Sequence, residues 1–229
     1  MKKTFKIIIW LLIIFISIIL FTFIFKKYNN IELKEMDIDV KYKDLNRFID
    51  KKDIFFEIDK NKLLIKGEKI SKININELKR KFKESNPYIE NIDISTTLNG
   101  KIKISIVQIK PILRIMNTYN QTFFISEIGT LIPHNRKFGI NTIIANGNIK
   151  EIYNKSVKLD SLKDTLSKKL ILNKLYILAK YLNSKPFLNA LITQIFINQK
   201  NEILLSTSIT DHIIIIGDVE DLEEKFFNL

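Results

Sequence analysis

The spacing of apolar residues changes along this chain, beginning with an unbroken run. From Ile7 to Phe25 there is no charge, only Ser17 and Thr22 are polar, and lysines bracket the run at Lys2, Lys3 and Lys6 and at Lys26 and Lys27. As a helix rising about 1.5 Å per residue it covers roughly 28 Å, close to the hydrocarbon thickness of about 30 Å. An isolated strand would leave its backbone groups unpaired in lipid, so the run predicts a transmembrane helix over residues 7–25, after a short tail at 1–6. No pair of small residues follows it, and it exceeds the usual signal core of about 7 to 15 residues, so an uncleaved anchor is expected. Beyond it the spacing becomes alternating. Met36, Ile38, Val40 and Tyr42 share one face of an expected strand, opposite Asp37, Asp39 and Lys41.

Helical spacing then returns over Asp44 to Ile58, and Asn74 with Glu77 resembles a capping box opening a helix with Ile75, Leu78 and Phe82 on one stripe. Ser85-Asn86-Pro87 ends it. A hairpin follows, with Ile89, Ile92 and Ile94 in one strand, Ile102, Ile104 and Ile106 in the next, and Leu98 to Lys101 as the turn. From Pro111 the pattern is mostly strands: Ile112 to Asn117, Thr122 to Ser126 before a turn at Gly129, and Thr142 to Ala145. A long helix is expected over Ser161 to Asn183, with Ile171, Leu175, Leu178 and Leu182 on one stripe. A second hairpin, Leu191 to Leu205 around Asn198 to Asn201, precedes the strand Ile213 to Ile216 and a short helix near Leu222 to Phe227. The class is α+β: a β-α-α-β-β segment over 31–110, then a mostly antiparallel β-rich domain with one long helix over 111–229.

Charge narrows the function less than it first suggests. The net charge of +12 reflects 37 Lys and Arg against 25 Asp and Glu, but the lysines are scattered and accompany a general enrichment in Asn and Ile. No basic stripe forms, so a nucleic-acid partner is not expected. Lysines near the span number three before it and five after it, so charge alone does not orient it. Trp10 and Tyr28 lie near its two ends, where amphipathic rings favour headgroup depth. Without small-xxx-small spacing, a helix partner in the bilayer would pack on bulky side chains.

Candidate chemistry is thin. With no cysteine there is neither a disulfide nor a thiolate. Neither His134, in a turn, nor His212, before a strand, has a metal partner at i, i+4 spacing, so both are read as structural. Strand alternation puts Asp37 and Asp39 on a solvated face and assigns them no metal role. No two of the six glycines stand closer than eight residues, which excludes a phosphate-cradling loop and a nucleophile elbow. No catalytic, cofactor-binding or metal residue is assigned, no cofactor or small-molecule substrate is expected, and the chain is read as a non-enzyme.

Val107-Gln108-Ile109-Lys110-Pro111-Ile112-Leu113-Arg114-Ile115, then Phe123-Phe124-Ile125-Ser126, Gly129 and Pro133, resemble the FtsQ/DivIB cell division family, especially its Bacteroidetes members. Thr193-Gln194-Ile195, then Asp211 to Asp218 and Lys225-Phe226, add to the resemblance. It implies an anchor, a POTRA-like domain joined by a Gln, a basic residue and a Pro to a β domain, and a scaffold of the divisome in the inner membrane. It further implies a cytoplasmic N-terminus, periplasmic domains, and partners among FtsB-like and FtsL-like division proteins as well as membrane lipid. Family members continue past the Lys225-Phe226 helix into a final pair of strands on which the FtsB-type partner docks by strand addition. This sequence ends at Leu229, so that contact is not carried over. The alternative is a membrane-anchored POTRA-type adaptor in envelope assembly.

Overall fold

A computed structural model describes residues 2–135, 139–155, 157–159, 170–209 and 212–227, and within the first helix the side chains of 10–26 and 29. Its contacts divide the chain into two units, one of 1–41 and 49–107, the other of 42–48 and 108–229. The segment 42–48 therefore goes with the second unit, although it lies within the span 31–110 read from sequence as one domain.

The first unit opens with helix α1 (Lys2–Asn29), on which the apolar run falls. Its apolar side chains from Trp10 to Phe25 are exposed, with Trp10 at 67% and Phe23 at 69%. Among the described residues, no helix is long and apolar enough to cross a membrane. Next come β1 (Glu35–Lys41), α2 (Lys51–Lys60), α3 (Ile75–Ser85), β2 (Ile89–Thr96) and β3 (Lys101–Gln108). The sheet order is β1-β3-β2, with β1 parallel to β3 and Ile38 opposite Ile104. Ile38, Ile104 and Ile92 are buried, as their alternation requires, against Ile54 and Ile58 of α2 and Leu78 and Phe82 of α3.

Two local readings change here. The helix expected over 44–58 starts only at Lys51, because the Asp50 side chain and Asp53 close a capping box there. Asn74 does accept a hydrogen bond from the Glu77 N–H at 3.1 Å, but the Glu77 carboxylate turns forward to Lys81 at 3.0 Å and leaves the box half made.

The second unit is a seven-stranded sheet of β4 (Pro111–Met116), β5 (Thr122–Ser126), β6 (Leu131–Pro133), β7 (Ile143–Gly147), β8 (Ile192–Ile197), β9 (Ile203–Thr207) and β10 (Ile213–Gly217), in the order β10-β9-β8-β7-β4-β5-β6. Pairing is antiparallel except at β7, which runs parallel to both β4 and β8. One face carries Leu205, Ile195, Ala145, Ile115 and Phe123 in register, all fully buried. They share one core with Leu175, Leu178 and Leu182 of α4 (Ile171–Ser184). The first part of the expected helix, 161–169, lies outside the described residues. An unforeseen short helix, α5 (Pro186–Leu191), begins at a proline in its first turn and leads into β8. Helix α6 (Leu222–Phe227) rests on α4 through the stacked rings of Phe226 and Tyr181, 5.4 Å apart.

Candidate partner-docking surface

Four consecutive isoleucines form β10, and a strand must send them alternately to opposite sides. Ile216 is buried at 6% exposure, while Ile213 and Ile215 are 62% and 71% exposed. Gly217 ends the strand at φ +73, after a shift of register between Ile215 and Gly217. On one side β10 pairs with β9, and among the described residues no strand pairs with its other side, which makes it an edge of the sheet. Its outward backbone N–H and C=O groups are thus placed for another strand, beside two large apolar side chains.

The exposed isoleucines continue a pattern that crosses the sheet. Ile213, Ser206, Gln194, Ile144, Arg114, Phe124 and Ile132 lie in one row, each opposite the next on the neighbouring strand. The adjacent row contains Ile215, Leu204, Phe196 and Asn146. These rows alternate with the buried row and so occupy the face turned away from α4. Phe124 and Ile132 are buried at the β5-β6 end, whereas Ile213, Ile215 and the 43% exposed Phe196 leave the β10 end open and apolar.

Polar contacts hold the chain just after β10. Lys174 of α4 reaches the Asp218 carboxylate at 2.5 Å, Asp218 accepts the Val219 N–H at 2.7 Å, and Lys225 donates to the Asp218 carbonyl at 2.8 Å. Partial burial opposes ionisation of Asp218, but the hydrogen bonds from Lys174 and Val219 and the nearby Lys225 outweigh it and hold the carboxyl below its ordinary range. At Glu127, too, burial opposes the charge, yet Lys110 at 3.6 Å, Lys43 at 3.5 Å and the Asn183 amide at 3.3 Å keep the carboxyl below the usual value.

A groove of ≈ 800 Å³ lies where β4, β7 and β8 begin, lined among others by Asp44, Asn46, Lys110, Thr142, Asn189 and Thr193. Buried Gln108 secures its rim: its Oε1 accepts the Phe48 N–H at 2.6 Å and its Nε2 donates to the Asn46 carbonyl at 2.8 Å. This is the Gln of the sequence motif, and its task is to replace backbone pairing for a segment without secondary structure. The groove mixes apolar residues such as Leu45, Ile112 and Ile192 with asparagine amides, threonine hydroxyls, the Asp44 carboxylate and the salt-bridged Lys110. Among the described residues, no group of three or more His, Asp and Glu could hold a metal ion. The sequence candidates stand apart: His134 packs its ring 5.6 Å from Phe124, His212 is exposed ahead of β10, and Asp37 and Asp39 are half-buried on β1.

Sequence comparison meets this architecture unit by unit. Residues 33–107 match the POTRA-like domain, and residues 110–229, just over half of the chain, match the family described as FtsQ/DivIB, C-terminal related. The chain belongs to the FtsQ/DivIB family. No curated protein matches it. FtsQ/DivIB and POTRA-like domains are scaffolds without enzymatic activity, which makes this a division-related protein carrying a POTRA-like domain. Family membership also gives the open β10 edge a context that sequence reading lacked. Four isoleucines in a row suit a buried strand, whereas the sheet order places Ile213 to Ile216 at an edge with two exposed side chains.

Proposed function

We propose that the chain is a single-span scaffold of the bacterial divisome, anchored in the inner membrane by α1, with its N-terminus in the cytoplasm and both units in the periplasm. The uncharged run from Ile7 to Phe25 and the exposure of its side chains from Trp10 onward support the anchor. The observation that carries the scaffold reading is the open edge of β10 beside Ile213 and Ile215. A partner of the FtsB or FtsL type adds a strand there, gaining main-chain hydrogen bonds from the edge and specificity from the alternate side chains. Tethering in a common membrane raises the effective concentration of both proteins, so contacts that are weak in solution suffice.

A fluorescent fusion in dividing cells tests the role, and co-purification of division proteins with the Ile213→Lys/Ile215→Lys variant tests the surface. A midcell band, with co-purification lost in a variant that still folds, is the expected result. Depletion should give filaments with unclosed septa. Normal septation with defective outer-membrane assembly would instead favour the envelope-assembly adaptor.

A further inference from the structure

The loop that follows α2 is fastened to the residues just beyond α1. Leu33 donates its N–H to the Glu68 carbonyl at 2.8 Å, Gly67 donates to the Leu33 carbonyl at 2.9 Å, and Ile70 donates to the Ile31 carbonyl at 2.9 Å. Side chains add to this backbone bridge: the Lys69 ammonium donates to the Asn30 side-chain oxygen at 2.7 Å, and the Ser71 hydroxyl to the Asn29 carbonyl at 3.0 Å. Asn29 stands four positions after Phe25, the last residue of the apolar run, which is about 6 Å along a helix axis. A headgroup layer is roughly 5 to 7 Å deep on each side of the hydrocarbon, so a span ending at Phe25 puts this loop at headgroup depth.

The loop's composition suits that depth. Residues 62–72 contain Lys62, Lys66, Lys69 and Lys72 against the single carboxylate of Glu68, and Lys62, Lys66 and Lys72 are exposed. Ile65, 54% exposed, stands next to Lys66 just ahead of the turn at Gly67, whose φ is +85. The Lys69 ammonium is taken up by Asn30 and Glu68 is half-buried, so the outward lysines of the loop are Lys62, Lys66 and Lys72, while the exposed Glu32, joined to Lys69 through the backbone, adds one opposing carboxylate. We propose that this loop docks on anionic phospholipid headgroups, with its three outward lysines neutralising phosphates and Ile65 dipping toward the acyl boundary. The docking fixes the orientation of the POTRA-like unit relative to the bilayer. This inference rests on the proposed membrane span.

Because the chain has no cysteine, one engineered thiol reports one position. The full-length protein is reconstituted into vesicles of phosphatidylcholine alone, or mixed equally with phosphatidylglycerol, each containing a lipid-borne quencher. Fluorophores are attached at Ile13→Cys in the span, Ile65→Cys at the loop tip and Ser95→Cys on the exposed side of β2. The expected result is strong quenching at 13 in both lipids, and quenching at 65 well above that at 95 only when phosphatidylglycerol is present. Adding Lys62→Gln, Lys66→Gln and Lys72→Gln should then lower the ratio of docked to free loop about 100-fold. If 13 is quenched while 65 behaves like 95, docking is overturned and the span stands. Quenching at 65 that ignores both the anionic lipid and the three substitutions overturns recognition of anionic headgroups. If 13 itself escapes quenching, the span falls and the docking proposal falls with it.

Discussion

Gly147 occupies a position that no other residue fills without cost. Its φ is +100, and a Cβ placed on it would collide with the backbone carbonyl of Ile197, its partner on the parallel neighbour β8. A backbone obstacle cannot rotate away, so Gly147→Ala should destabilise the second unit by about 3 kcal/mol. Gly67, at φ +85 with nothing within 4 Å of its would-be Cβ, isolates the conformational part, and Gly67→Ala should cost only about 1 kcal/mol. Denaturant unfolding of both variants separates collision from backbone strain. Gln108 makes the complementary argument for a buried polar side chain. Gln108→Leu removes partners from the Phe48 N–H and the Asn46 carbonyl and should cost about 2 kcal/mol or more, because the buried groups lose more than one ordinary hydrogen bond is worth. Glu127 adds a pH dependence with a definite sign. Its folded pKa is depressed, so its stabilisation is complete above the ordinary glutamate value of about 4.3 and is lost as the pH falls through the folded value. Its side chain is 35% exposed, so solvent screening keeps the effect below about 1 kcal/mol. Thermal melts of Glu127→Gln and the parent should differ slightly at neutral pH and converge in acid.

Elements show how far apolar spacing alone carries. The strands from Ile89 to Thr96 and Lys101 to Gln108 were legible because Ile92 and Ile94, and then Ile102, Ile104 and Ile106, alternate with polar residues and the turn contains Gly100. Helix α2 was legible in type but not in start: Leu45 fits the apolar spacing and yet is 100% exposed, and the Asp50 cap decides where the helix begins. The strand β6, only Leu131 to Pro133, is too short for any period to register. The edge of β10 was hidden for a different reason, since four isoleucines in a row look alike until the sheet assigns them sides. Ile216→Ala should therefore cost about 2 to 4 kcal/mol, while Ile215→Ala should cost less than about 0.5 kcal/mol. Chemical denaturation of the two variants decides whether β10 is an edge with one buried face, as an equal cost at both positions would contradict that placement.

At the scale of the molecule, the family resemblance was readable from Gln108, Lys110 and Pro111 together with the order of elements, whereas strand order was not. A parallel strand such as β7 joins neighbours distant in sequence, Leu113 to Ile143 and Ile144 to Gln194, and no local pattern records such pairings. The exposed edge of β10 depends on that order, so it too was illegible. Each unit nevertheless has its own sheet and its own buried side chains, with Phe82 fully buried in the first and Leu175 in the second. Separate cores imply separate cooperative transitions when their stabilities are driven apart. Phe82→Ala should remove about 3 to 5 kcal/mol from the first unit, and Gly147→Ala should weaken only the second. Calorimetry of the full-length chain should then show each substitution lowering a different transition. A single transition lowered by both would mean that the two cores melt as one, and the POTRA-like unit and the seven-stranded sheet would not be separate folding units.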